Sequence, residues 1–132
     1  MSDQDSNYTI KNLTETKDSA PDFGMDEMGQ AHFATGELDA EKTGVSFQVL
    51  KPGARQPFGH VHENAEEVYV VIKGSGRVKL DDEVIELSEL DALRIAPGVT
   101  RAFEGGDDGM QFLAFGARHE GDGEVVPEWW TD

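Results

Sequence analysis

His60 and His62 stand two residues apart, and Glu67 opens the next apolar run. In a strand, residues i and i+2 face the same side, so the two imidazoles are aimed at one spot. The polar stretch Glu63-Asn64-Ala65-Glu66 is short enough to turn the chain, and Glu67 can then face that spot from a return strand. Two neutral imidazoles and a carboxylate are a common set for a divalent first-row metal such as Fe, Mn, Ni or Zn. His-x-His alone carries little weight, because two exposed histidines on one strand face are ordinary.

The surrounding residues add the weight. Gly53 and Pro57 precede the histidines, and Glu67 is followed seven residues later by Gly74. This resembles the first signature of the cupin superfamily: a glycine, His-x-His, a glutamate three or four residues on, and a glycine seven after that. The resemblance implies an all-β, single-domain cupin, a double-stranded β-helix or jelly-roll barrel. It implies His60, His62 and Glu67 as the holders of a divalent metal ion. It also implies dioxygenase-, decarboxylase- or isomerase-like chemistry, among which the sequence does not choose, because fold does not fix function.

The family's second signature is a glycine, Pro-x-Gly, a histidine three residues on and an asparagine four after that. Ala96-Pro97-Gly98-Val99-Thr100-Arg101 resembles it in shape, and Gly98 matches. Leu90 stands where the first glycine belongs, Ala96 where the proline does, Gly105 where the asparagine does, and Arg101 where the histidine does. A guanidinium has no lone pair to offer a cation. Held roughly 5 Å from a dication, it would repel it by several kcal/mol at an effective dielectric near 20.

Three arrangements follow. Metal binds through the three remaining ligands with Arg101 bent away. Or the metal stays and Arg101 forks onto an anionic substrate beside it. Or the metal is lost and Arg101 pairs with Glu67, leaving a non-catalytic ligand-binding or degenerate barrel. Arg101, Tyr69, Phe103 and Gln56 are the expected substrate-binding residues, with Gln56 also considered as a substitute ligand. His32 is expected to pack in or on a strand, and His119 to be exposed after the last strand. Asp107-Asp108-Gly109 lacks the alternating ligands of a calcium loop and reads as a turn.

The rest of the chain must position these groups. Residues 1–7 read as a loose acidic tail, 8–118 as the barrel, and 119–132 as an extension whose Trp129-Trp130 pair packs on the barrel or a partner. Tyr8-Thr9-Ile10 could form a short strand; Phe23, Met25 and Met28 are expected to dock on the wall. Ala31 to Thr35 reads as a strand, and 38–41 as one helical turn. Val45, Phe47 and Val49 alternate with Ser46, Gln48 and Leu50, a half-buried strand. Glu67 to Lys73 is apolar on both faces beyond the glutamate, which suits a barrel wall that pairs with a second subunit. Gly74-Ser75-Gly76 reads as a turn, Arg77 to Leu80 pairs with Val84 to Leu87 across Asp81-Asp82, and Ala92 to Ile95 is a strand. Thr100 to Glu104 and Met110 to Gly116 are strands separated by a turn at Gly105 to Gly109.

Composition narrows the partners. The 132 residues suit one domain. Asp and Glu total 27 against 11 Lys and Arg, a net charge of −16. That argues against nucleic acid and against an anionic membrane surface. It fits a solvated surface of the kind found in high-salt cytoplasm. The expected partner is a small molecule, an anionic one given Arg101. With no cysteine, disulfides and thiolate metal sites are excluded, in agreement with a reducing cytosol. No signal peptide or membrane span is expected from the sequence. A homodimer is expected from the doubly apolar strand and the resemblance.

Overall fold

The computed structural model describes residues 7–117 and 122–131. Eight strands follow in order: β1 (Gly29–Phe33), β2 (Thr43–Leu50), β3 (Gly59–His62), β4 (Glu67–Leu80), β5 (Glu83–Leu87), β6 (Ala92–Ile95), β7 (Arg101–Ala117) and β8 (Gly123–Val126). All pair antiparallel. β4 and β7 are long enough to serve two layers. The first half of β4 and the second half of β7 lie in a layer ordered β1-β2-β7-β4-β6. Their other halves lie in a layer ordered β8-β3-β7-β4-β5. The sheet therefore curls on itself as a jelly roll, with the apolar core between the layers.

The two glycine clusters read as turns are instead the places where β4 and β7 bend. Gly74 pairs with Met110 and Gly76 with Gly105, so residues 106–109 of β7 stand opposite Ser75 alone. Such extra residues bend a strand and increase its twist without ending it. Glycine is required there for closeness. A Cβ at Gly74 would sit 2.1 Å from the Gly109 carbonyl oxygen, and one at Gly76 would sit 2.2 Å from that of Glu104.

Other local expectations shift as well. Tyr8 to Ile10 joins no sheet; the segment before β1 carries two short 3-10 turns, Leu13–Glu15 and Ala20–Phe23. The first strand starts at Gly29, earlier than its apolar run, and 35–39 is a turn without a helix. In β2, Ser46, Gln48 and Leu50 are all buried, as is Phe47, so the strand is covered on both faces. Met25 and Met28 dock as expected, whereas Phe23 stays half exposed. His32 is buried: it stacks on Phe47, and its Nδ1 lies 3.0 Å from the Thr16 carbonyl oxygen. His119 falls outside the described residues.

Inside the barrel, Phe103 and Phe112 stack at 4.6 Å and Tyr69 leans on Phe103 at 4.8 Å. Leu50, Val71, Val78, Ile95 and Met110 complete the core around them.

Leu90, at the position where the second signature has glycine, adopts φ +69° and is 74% exposed. That left-handed conformation costs an L side chain roughly 1–2 kcal/mol, and no burial offsets it here. Leu90→Gly is expected to raise stability by about 0.5–1 kcal/mol after glycine's extra backbone entropy is counted. A higher urea midpoint with an unchanged slope checks this; an unchanged midpoint contradicts it.

The end of the chain is tied to the barrel. The Trp130 indole N–H donates to the Gln56 carbonyl at 2.8 Å, and the Arg55 guanidinium lies 4.3 Å from the Trp130 ring. The Lys79 ammonium lies 4.3 Å from the Trp129 ring and donates to the Trp129 carbonyl. Arg55 and Arg77 converge on Glu104, with the Arg77 Nε donating at 2.6 Å. Burial pushes the Glu104 carboxyl up, but the hydrogen bonds from Arg77 and Arg55 outweigh it and leave it below its usual value. A lowered folded-state value stabilises above the unfolded value and is lost as pH falls through the folded one. Glu104→Gln should therefore lower stability at pH 7, and its deficit should shrink below about pH 4.5. Parallel urea melts at pH 7 and pH 3 measure the difference, and an equal deficit at both would refute it.

Candidate metal centre

β3 belongs to one layer and the start of β4 to the other, so the turn between them folds the histidines over Glu67. One ring nitrogen each of His60 and His62 and a Glu67 carboxylate oxygen fall within 4.8 Å of one another. The two imidazoles stand nearly perpendicular, with centroids 5.4 Å apart. Glu67 Oε1 is the shared focus. It lies 3.2 Å from His62 Nε2, 3.9 Å from His60 Nε2 and 3.2 Å from Arg101 Nη2, and it accepts the Tyr69 hydroxyl at 2.6 Å.

The donor set fits a divalent ion. Donor atoms about 2.1 Å from one ion stand roughly 3 Å apart at a right angle, close to the spacing of His62 and Glu67. With neutral imidazoles, the charged groups in contact with the cluster among the described residues are the Arg101 guanidinium and the carboxylates of Glu67 and Asp122. The residue of negative charge favours a cation. Burial pushes the Glu67 carboxyl up, but hydrogen bonds from His60, His62 and Tyr69 overcome it and hold it well below the usual carboxylate range. Burial is also the largest influence on His60 and lowers it; Glu67 opposes, while Arg101 and His62 lower it further. A neutral imidazole is the form that ligates. Tyr69 is pushed well above its ordinary value by burial and then by the Glu67 charge, so it remains a donor to Glu67.

Arg101 takes the third arrangement in its geometry while leaving the ligand cluster intact. Its side chain is 0% exposed; Nη1 donates to the Val99 carbonyl at 2.8 Å and Nη2 to Glu67. It sits behind Glu67 and is absent from the cavity wall, so the fork onto a substrate anion is not the geometry found. Phe103, also expected at the substrate, is committed to the aromatic core.

Gln56 does reach the wall, but its amide is engaged. The Phe103 backbone N–H donates to Gln56 Oε1 at 3.0 Å. That fixed donor sets the amide's orientation, so Gln56 Nε2 donates to Gln48 Oε1 at 2.8 Å. Gln48 Nε2 in turn donates to Ser46 Oγ at 3.3 Å. The relay ends at the Ser46 hydroxyl, whose own proton has no acceptor among the described residues. Gln56 is thus a wall residue, and its oxygen is occupied where metal ligation would need it free.

Asp122 escaped the sequence reading. Its Oδ2 lies 3.6 Å from His62 Nδ1 and accepts the Ala65 N–H at 2.9 Å, while Oδ1 accepts the Asn64 N–H at 2.8 Å. It therefore shapes the turn between β3 and β4 and backs the ring nitrogen of His62 that faces away from the site. Burial raises its carboxyl, and the bonds from Asn64 and Ala65 more than reverse this. Nothing near Asp122 in sequence signals the role, because the contact spans the whole barrel. Partners of ligating histidines are typically worth 10–100-fold in metal affinity. Asp122→Ala should weaken metal binding by about tenfold or more, measured by chelator competition; unaltered competition would exclude the role.

The cluster opens into a cavity of about 400 Å³. Phe23, Met25, Phe33, Val45 and Phe58 contribute apolar wall, with Ser46, Gln48, Gln56 and Tyr69 on the polar side.

The conserved-domain model for a cupin domain matches residues 46–115, just over half of the chain. The chain belongs to the cupin family. A crystal structure of a cupin protein from Bacteroides fragilis superimposes with a TM-score of 0.69 at 27% identity, covering 88% of each chain. A double-stranded β-helix protein from Klebsiella pneumoniae gives 0.71 at 17% identity over 94% of this chain and all of the other. The polyketide cyclase RemF of Streptomyces resistomycificus gives 0.73 at 17% identity, covering 94% of this chain and 87% of that one. The last two likenesses concern the fold alone. Among curated protein sequences nothing matches. Among the described residues, no helix is long and apolar enough to cross a membrane.

Proposed function

We propose that this cupin holds a divalent metal at His60, His62 and Glu67 and handles a small organic molecule in the cavity above it. The observation that carries the reading is the convergence of three ligand atoms within 4.8 Å on the cavity wall. When bound, a divalent metal supplies Lewis acidity at that wall. Tyr69 and Arg101 fix the rotamer of Glu67, and Asp122 backs His62. The Gln56–Gln48–Ser46 relay presents one hydroxyl to the ligand, and the apolar wall excludes water around it. Elemental analysis of purified wild-type protein is the test. Close to one transition-metal ion per chain supports the proposal, and no stoichiometric metal under any divalent supply overturns it.

One observation favours a second reading, a metal-free ligand-binding barrel. The Arg101–Glu67 pair at 3.2 Å already supplies Glu67 with a cation. In that case the same cavity binds its ligand without turnover.

A cytosolic homodimer completes the proposal. Val68 and Phe115, and Val70 and Leu113, pair across the outer face of one layer and leave it apolar and partly exposed. Sedimentation of a single monomeric species at micromolar concentration would contradict the dimer.

A further inference from the structure

The proposed site has a wall whose chemistry selects among ligands, and this inference rests on that reading of the site. Among the described residues, the charged side chains on the cavity wall are Glu67 and Glu124, both carboxylates. Arg101, the guanidinium paired with Glu67, is sealed behind it with both terminal nitrogens engaged. The chain as a whole carries −16. Among the described residues, no guanidinium or ammonium lines the cleft to receive a small anion.

The shape and surface point the same way. A volume near 400 Å³ is within the range of drug-sized ligand sites. It would hold about a dozen waters at roughly 30 Å³ each, so a two- to four-carbon diacid would leave most of it filled with solvent against apolar wall. Phe23 and Phe33, 53% and 48% exposed, meet edge to face at 5.9 Å on the cavity rim. Solvent-exposed aromatics on a rim are satisfied by a ligand that covers them. Deeper in, the hydrogen-bond relay fixed by the Phe103 N–H makes Ser46 Oγ an acceptor and leaves its own proton to be donated to an acceptor on the ligand.

We propose that the cavity takes an uncharged, largely aromatic molecule of two to three rings, with oxygen donors at the histidine end and an acceptor for Ser46. Two probes separate this from a small-anion site: 6,7-dihydroxycoumarin, uncharged when titrated on the acid side of neutrality and carrying a catechol edge and a lactone carbonyl, and malonate, which offers two carboxylates. Both are titrated calorimetrically into the same wild-type preparation, whose metal content is measured beforehand. Tighter binding of the coumarin, by at least about tenfold, is the expected result, and equal or tighter malonate binding overturns the proposal. Phe33→Ser, an exposed-rim change compatible with folding, should weaken the coumarin severalfold and leave malonate unchanged. Ser46→Ala should weaken the coumarin but not naphthalene-2,3-diol, which lacks the carbonyl. Loss of neither contact would overturn the assignment. A metal-free preparation that still prefers the coumarin sinks the metal reading and keeps this one; a metal-loaded protein that prefers malonate does the reverse.

Discussion

His60→Ala is expected to abolish stoichiometric metal binding. The residue supplies one of three converging ligand atoms, and even the outer partners of metal ligands are worth 10–100-fold in affinity. Loss of a direct ligand should exceed about 100-fold, taking the variant from close to one ion per chain to a trace after dialysis. The fold should survive, since the imidazole is about a quarter exposed and its contacts with Tyr69, Glu67 and His62 are made by polar or ligand-cluster groups. An unchanged far-ultraviolet spectrum together with lost metal is the expected pair of readings. Retention of the ion at wild-type affinity would mean that it sits elsewhere. His32→Ala serves as the matched control, because that imidazole is turned to Thr16 and Gln30, away from the site.

Arg101→Ala is expected to destabilise the protein by about 3 kcal/mol. Removing one partner of a buried ion pair leaves the other charge uncompensated, which typically costs 3–5 kcal/mol, and the partial exposure of Glu67 argues for the low end. The double variant Arg101→Met with Glu67→Gln should recover most of that loss, since it removes both charges and refills the volume. Urea melts distinguish the cases; a deficit below about 1 kcal/mol for the alanine variant would show that the pair contributes little. Arg101→His should act on the metal instead. It replaces a fixed positive charge with a neutral donor at the position paired with His60 in the β-ladder, and should tighten metal binding by at least about tenfold.

The first signature made both the fold and the candidate ligand cluster readable because its residues act locally: a strand, a turn and a return strand bring His60, His62 and Glu67 together within a few residues. The hairpin at Asp81-Asp82 and β6 were legible for the same reason. The long strands were not. Gly105 to Gly109 has the composition of a turn, and only its pairing partners on β4 reveal that β7 continues through it. Arg101 could be placed at the site from its offset, but not its direction: which way its guanidinium points depends on Val99 and Glu67, the latter from the other layer. Asp122 was out of reach for a related reason. Its meaning comes from β8 lying beside β3, a pairing of strands far apart in the chain.

Both of the chain's tryptophans lie in the segment that also carries Asp122 and β8. Trp129 rests on Lys79 and Trp130 on Arg55, so each indole's surroundings depend on that segment being docked. Intrinsic fluorescence in this protein is thus a local signal, without an added label, of whether the strand backing His62 is in place. Where that segment detaches before the barrel melts, emission and circular dichroism will trace separate transitions, and the earlier one times the loss of the backing carboxylate.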